Sequence, residues 1–131
     1  LAFTQQRPQA MLEAKDMPTT RLSEFITERL NRELEGERAK RAAQQNVPLD
    51  QVAGVEPLTV RMVNSVVKRC EVKPKFYETF AGDGYPTEFV YRQRVLLLFQ
   101  NLDGVDVCLY CMYVQEYGRE CAAPNTNVVY L

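Results

Sequence analysis

No histidine occurs anywhere in this chain. That absence removes Ser–His and Cys–His nucleophile pairs, and with them the hydrolase triads. Long apolar runs are missing too. Runs such as Val95 to Phe99 fall far short of the roughly 20 residues that cross a bilayer, so no membrane partner is expected. No basic flank precedes an apolar stretch at the N-terminus, which argues against a secretory signal. There is no basic stripe either. The 16 Lys and Arg are balanced by 17 Asp and Glu, for a net charge of −1. The densest basic run, Arg38 to Arg41, follows Glu33, Glu35 and Glu37 on one expected helix. Direct nucleic-acid binding needs a positive surface that displaces counterions from phosphates, so it is not expected. No glycine-rich phosphate loop is present, because Gly82-Asp83-Gly84 does not lead from a strand into a helix.

Cysteine is sparse, at four residues, and without a secretory signal reduced thiols are the default. Cys108 and Cys111 have the Cys-x-x-Cys spacing of zinc and redox sites. Neither Gly nor Pro lies between Val105 and Tyr117 to make the turn such a site needs. On a strand, residues three apart point to opposite faces. The expectation is therefore no metal site and buried free cysteines, with a small structural zinc domain as the rival reading.

Hydropathy patterning predicts an α+β chain. Residues 1–18, interrupted by Pro8 and Pro18, read as a lead-in loop. A helix is expected from about residue 20 to 44, with Thr19 or Thr20 as N-cap and Glu24 in its first turn. Leu22, Phe25, Ile26, Leu30 and Leu34 form its apolar face, Glu28–Arg32 and Glu37–Arg41 its exposed ion pairs. Its second half, richer in alanine, is expected to project, and residues 46–57 to form a linker. From Leu58 the pattern becomes β, with Val66 to Val72 a candidate return strand, a short helix over Lys73 to Phe80 and a turn from Ala81 to Thr87. Phe89 to Gln100 and Val105 to Tyr117 read as a hairpin turning on Asp103-Gly104, a pair that tolerates positive φ. Both faces of its second strand are mostly apolar, which predicts burial between layers, with Leu97 and Leu109 in the core. A last strand begins at Val128. The chain opens on Leu1 and stops on an apolar run, so a segment of something longer is expected.

Several separated blocks resemble one family. Phe89 to Gln100, then Asp103 to Leu109, then Met112-Tyr113-Val114-Gln115-Glu116-Tyr117-Gly118, Glu120-Cys121 and Pro124-Asn125 look like the histone acetyltransferase domain of the CREB-binding-protein family. Thr20-Arg21-Leu22-Ser23 resembles the start of that domain's first helix, and Val60 to Val63 and Glu71 to Lys73 its first two strands. The run Tyr85-Pro86-Thr87-Glu88-Phe89 is similar to the plant-type branch.

The resemblance implies residues 19–131 as the N-terminal part of a histone acetyltransferase domain that continues past the C-terminus: a long N-terminal helix on a mainly antiparallel sheet. It implies a nuclear transcriptional coactivator that moves an acetyl group from acetyl-CoA, its co-substrate, to lysines of histone tails. The lysine amine attacks the thioester directly, so positioning supplies much of the rate and no protein nucleophile is required. Transcription factors and other coactivator domains are implied as further partners. No catalytic and no cofactor-binding residue is expected within this chain, which supplies scaffold. Gln93 stands at a family position near the substrate lysine, two residues after Tyr91, where a small hydroxyl residue is usual. Its amide oxygen can accept from an ammonium; an ordinary surface strand residue is the plainer reading. Cys111 stands where the family has glycine, adding bulk inside the sheet, and Thr126-Asn127 where it has Gln-Arg. A degenerate, non-catalytic interaction module is therefore the alternative.

Overall fold

The chain's computed structural model describes residues 13–131; the first twelve residues of the lead-in loop expected over 1–18 lie outside them. Elements run α1 (Arg21–Gln45), β1 (Leu58–Glu71), α2 (Pro74–Phe80), β2 (Glu88–Leu102), β3 (Val105–Glu116) and β4 (Val129–Tyr130), with 3-10 turns at Ala14–Asp16, Leu49–Gln51 and Ala81–Asp83. The four strands form one antiparallel sheet in the order β1-β2-β3-β4, and the architecture is α+β. Two compact units share its three long strands. One holds residues up to Met62 with Leu97–Tyr110, the other Val63–Leu96 with Cys111–Leu131.

In the first unit α1 starts on Thr20, whose hydroxyl accepts the Ser23 N–H at 3.1 Å while the Ser23 hydroxyl oxygen accepts the Thr20 N–H at 3.0 Å. Each satisfies one of the backbone donors that a helix N-terminus leaves open. The helix ends on Asn46, which adopts φ +52° in the left-handed region. Its docked face differs from the expected one. Phe25 is 60% exposed, because the face that meets β1 carries Ser23, Thr27 and Asn31 among its leucines. The Thr27 hydroxyl oxygen accepts the Val60 N–H at 2.9 Å, and the Asn31 amide both accepts from Leu58 N–H at 2.8 Å and donates to its carbonyl at 2.9 Å.

The second half of α1 does not project. Arg38 donates to the carbonyls of Val52 and Leu49 at 2.9 and 3.0 Å, drawing the expected linker back on the helix; Ala42 and Val52 are buried there. The helix's ion pairs are Arg29–Glu33 and Glu37–Lys40 rather than the expected ones. The 3-10 turn at Ala14–Asp16 is clamped at both backbone groups of the buried Ala14. Its N–H donates to the Asp106 carboxylate and its carbonyl accepts from the buried Arg61 at 2.9 Å. The bond from Ala14, followed by one that the Asn101 amide donates at 3.0 Å, holds the Asp106 carboxyl below its usual range.

The β region departs from expectation in three ways. β1 is a single strand through Glu71, with no return strand from Val66. The hairpin turn is as expected, with Asp103 and Gly104 both at positive φ (51° and 84°). The core leucine is Leu96, 2% exposed; Leu97 is half-buried and Leu109 is 49% exposed. Among the described residues most of β3 is uncovered: Val105, Val107, Leu109, Tyr110 and Tyr113 are all exposed. Of the cysteines only Cys121 is buried, while Cys70, Cys108 and Cys111 are exposed. Apolar composition on both faces of a strand shows that it suits a covered position, not that a covering layer is present.

Candidate substrate-side surface around Gln93

All the residues that the resemblance singles out lie in the second unit. Its core is Val95 and Leu96 of β2, Val114 of β3, and Tyr117 and Cys121 beyond it. Past Glu116 the chain makes a closed loop. The Tyr117 N–H donates to the Val128 carbonyl at 2.9 Å, and β3 then pairs with β4 at Gln115–Tyr130 and Glu116–Val129. The Gly118 carbonyl accepts from the N–H groups of Cys121 and Asn127 at 3.3 and 3.1 Å.

Thr126 and Asn127, two of the departures from the family pattern, are built into this loop. The Thr126 hydroxyl donates to the Cys121 carbonyl at 2.7 Å. Asn127 sits at φ +56°, a region that Asn tolerates better than most residues. Cys111 is exposed, so its side chain adds no bulk to a packed interior.

Three tyrosines brace the loop. Tyr91 and Tyr117 have ring centroids 5.3 Å apart, and Tyr117 and Tyr130 meet edge to face at 5.6 Å, geometries that favour aromatic pairs. The Tyr117 hydroxyl donates to the Gln115 side-chain oxygen at 3.3 Å, and the Tyr130 hydroxyl to that of Asn125 at 3.1 Å. Burial, helped by the neighbouring thiols and phenols, pushes the Tyr117 phenol up from its ordinary value. At neutral pH it therefore stays protonated and acts as a donor.

Gln93 is half-buried on β2, between Arg92 and Arg94. The Arg94 guanidinium meets the Glu116 carboxylate at 2.8 Å, partly shielded from solvent. A shallow cleft of about 230 Å³ opens beside them, with Tyr91, Arg92, Glu116, Tyr117 and Glu120 in its walls; Gln93 is not among the residues lining it. Ring faces beside carboxylates suit a long cationic side chain, whose methylenes lie on the rings while the head reaches the oxygens. Sequence reasoning passed over Glu116 and Glu120. The block Gln115-Glu116-Tyr117-Gly118 carried the signal, because a charged residue beside a tyrosine at a strand end marks a wall rather than a core. Among the described residues no three His, Cys, Asp or Glu side chains are placed to hold a metal ion, and no helix is long and apolar enough to cross a membrane.

The pattern that defines the histone acetyltransferase domain KAT3 matches residues 49–131. The chain belongs to the KAT3 histone acetyltransferase domain family. It is 53% identical over 122 residues to "Probable histone acetyltransferase HAC-like 1" of Oryza sativa subsp. japonica, an alignment covering 93% of this chain and 7% of that protein. Histone acetyltransferase HAC1 of Arabidopsis thaliana is 52% identical over 122 residues, with the same coverage. Protein cbp-1 of Caenorhabditis elegans is 30% identical over 127 residues, 96% of this chain and 6% of that protein. The higher identity to the plant proteins agrees with the plant-type features around Tyr85 to Phe89. The chain thus spans under a tenth of the length of each of these three relatives. In this KAT3 chain the match takes in β1 to β4, all of the second unit and the strands that carry Gln93 and Glu116.

Proposed function

We propose that this chain forms part of a nuclear histone lysine acetyltransferase of the coactivator type and supplies scaffold and substrate-side surface rather than a complete active site. Acetyl-CoA, the co-substrate in this reading, provides the acetyl group. Neither cleft here fits it: the one beside Tyr91 and a second of about 160 Å³ between α1 and residues 53–57 fall below the roughly 300 Å³ of even a small ligand pocket. No step is therefore assigned to this chain's residues on the cofactor side. On the substrate side, Gln93 offers an amide oxygen to the target lysine's ammonium, and the cleft beside Tyr91 and Glu120 takes a neighbouring cationic residue of a histone tail. The observation that carries the reading is the KAT3 match over a segment whose departures, Thr126 and Asn127, are accommodated by bonds and backbone of their own. That favours an acetyltransferase over a degenerate interaction module. Other coactivator domains and transcription factors are partners in the same reading.

A chimera tests this. Replacing the matching segment of Arabidopsis HAC1 by residues 49–131 of this chain is expected to preserve histone acetylation, whereas a folded but inactive chimera would support the interaction module. Within the chimera, Gln93→Ala is expected to raise KM for a histone peptide and leave KM for acetyl-CoA unchanged. The chain alone should give no heat on titration with acetyl-CoA, while HAC1 does; heat from the chain alone would overturn the scaffold assignment.

A further inference from the structure

The backbone does not demand a glycine at Gly118. Its φ is not positive, unlike those of Gly84 and Gly104, so an L side chain is sterically allowed there. The bonds that close its loop, from the Cys121 and Asn127 N–H groups, run to its carbonyl, which every residue carries. What occupies the free space is Glu120. A Cβ on Gly118 would lie 2.7 Å from the Glu120 carboxylate carbon and nearer still to both oxygens, well inside ordinary non-bonded separation. Both residues line the cleft beside Tyr91.

Glu120 is also the cleft carboxylate that has no cation. Arg94 engages the other one, Glu116, at 2.8 Å, and the Arg92 guanidinium reaches the Ser65 hydroxyl at 3.5 Å. Among the described residues none forms a hydrogen bond or ion pair with Glu120.

We propose that Gly118 is a positioning residue for substrate: lacking a side chain, it leaves the Glu120 carboxylate room in the cleft wall, where that carboxylate takes the ammonium of a histone-tail lysine. The proposal rests on the reading that this cleft accepts a cationic residue of the tail. The orientation of the carboxylate favours lysine over arginine. Both oxygens are nearer than the carbon to the place of the missing Cβ, so the carboxylate's open edge is turned to Gly118. A guanidinium pairs best across that edge, through two parallel N–H donors. The outer side of each oxygen stays free for a compact ammonium, whose methylene stem lies on the tyrosine rings. Because the displaced atoms end a flexible side chain, Gly118→Ala moves the carboxylate and spares the backbone.

NMR titration of the full chain with the capped tripeptide acetyl-Gly-Lys-Gly-amide, followed at the Tyr117 and Glu120 amides, tests this. The parent is expected to bind it, to bind the arginine counterpart less tightly, and to ignore the counterpart whose lysine is acetylated and uncharged. Glu120→Gln is expected to weaken lysine binding about two- to five-fold, the scale of an exposed ion pair. Gly118→Ala is expected to weaken it equally at an unchanged melting temperature. In a Glu120→Gln background Gly118→Ala should add nothing, since the two residues act as one unit. Additive losses would make the role of Gly118 merely structural and overturn the proposal, as would a Gly118→Ala variant that binds like the parent. Equal affinity for the arginine and lysine tripeptides would overturn the preference for an ammonium. A parent that binds no lysine tripeptide would overturn the reading of the cleft itself, which sets that failure apart from the others.

Discussion

The two halves of β1 are built from similar residues and meet different fates. Leu58 to Met62 and Val63 to Val67 each hold three apolar side chains and two polar ones. Yet Val60 is 3% exposed and Val67 is 61% exposed. The strand itself does not make the difference. Opposite the first half lies α1, which presents Thr27 and Asn31 to strand backbone; the second half has no such helix among the described residues. A strand edge is thus closed less by its own hydrophobicity than by hydrogen-bonding side chains on the element that covers it, because unpaired backbone groups must find partners before apolar neighbours can exclude water.

The largest effect tests where the core lies. Leu96→Ala should cost about 2–5 kcal/mol, the usual range for an enclosed leucine, whereas Leu109→Ala should stay within about 0.5 kcal/mol as a surface change. Denaturant melts of the two variants check this, and equal costs would mean that β3 is covered after all. Next comes the strand itself. Val60→Ala should destabilise by about 1.5–3 kcal/mol, the scale of burying a valine, and Val67→Ala by about 0.5 kcal/mol or less. Similar losses at both positions would end the contrast between the halves. Asn31→Ala should cost about 1–3 kcal/mol, because it leaves both backbone groups of Leu58 without their partner. Arg69→Ala breaks only an exposed pair with Glu88 at 3.1 Å and should cost under about 1 kcal/mol.

The smallest effect is a pH dependence. Asp106 has its pKa lowered in the folded chain, first by the hydrogen bond from Ala14 and then by that from Asn101. Its stabilising contribution is therefore fully present above the unfolded value, near 3.8, and fades as pH falls through the lower folded value. Melting temperature followed down through that window should fall more steeply for the parent than for Asp106→Asn. Parallel curves would mean that the clamp on Ala14 does not depend on the carboxylate's charge.

Sequence reasoning reached local features because local chemistry dictates them. Thr20, one of the two threonines expected to cap the helix, and Asp103-Gly104, expected to turn the hairpin, each act through bonds or dihedral preferences spanning a few residues. The separated blocks from Phe89 to Asn125 likewise named the KAT3 family before any packing was known. The candidate site was legible only in part. Gln93 came from the family match, while the cleft beside it depends on Val67 of β1, Tyr91 of β2 and Glu120 beyond β3 meeting from three places in the chain.

What the tertiary structure alone decided is which apolar residues are inside. Periodicity assigns a side chain to a face but does not say whether anything covers that face. Leu96 and Leu97 are chemically identical, and so are Val60 and Val67. Their burial differs because burial belongs to a pair of surfaces, and the second surface is supplied by residues distant in sequence.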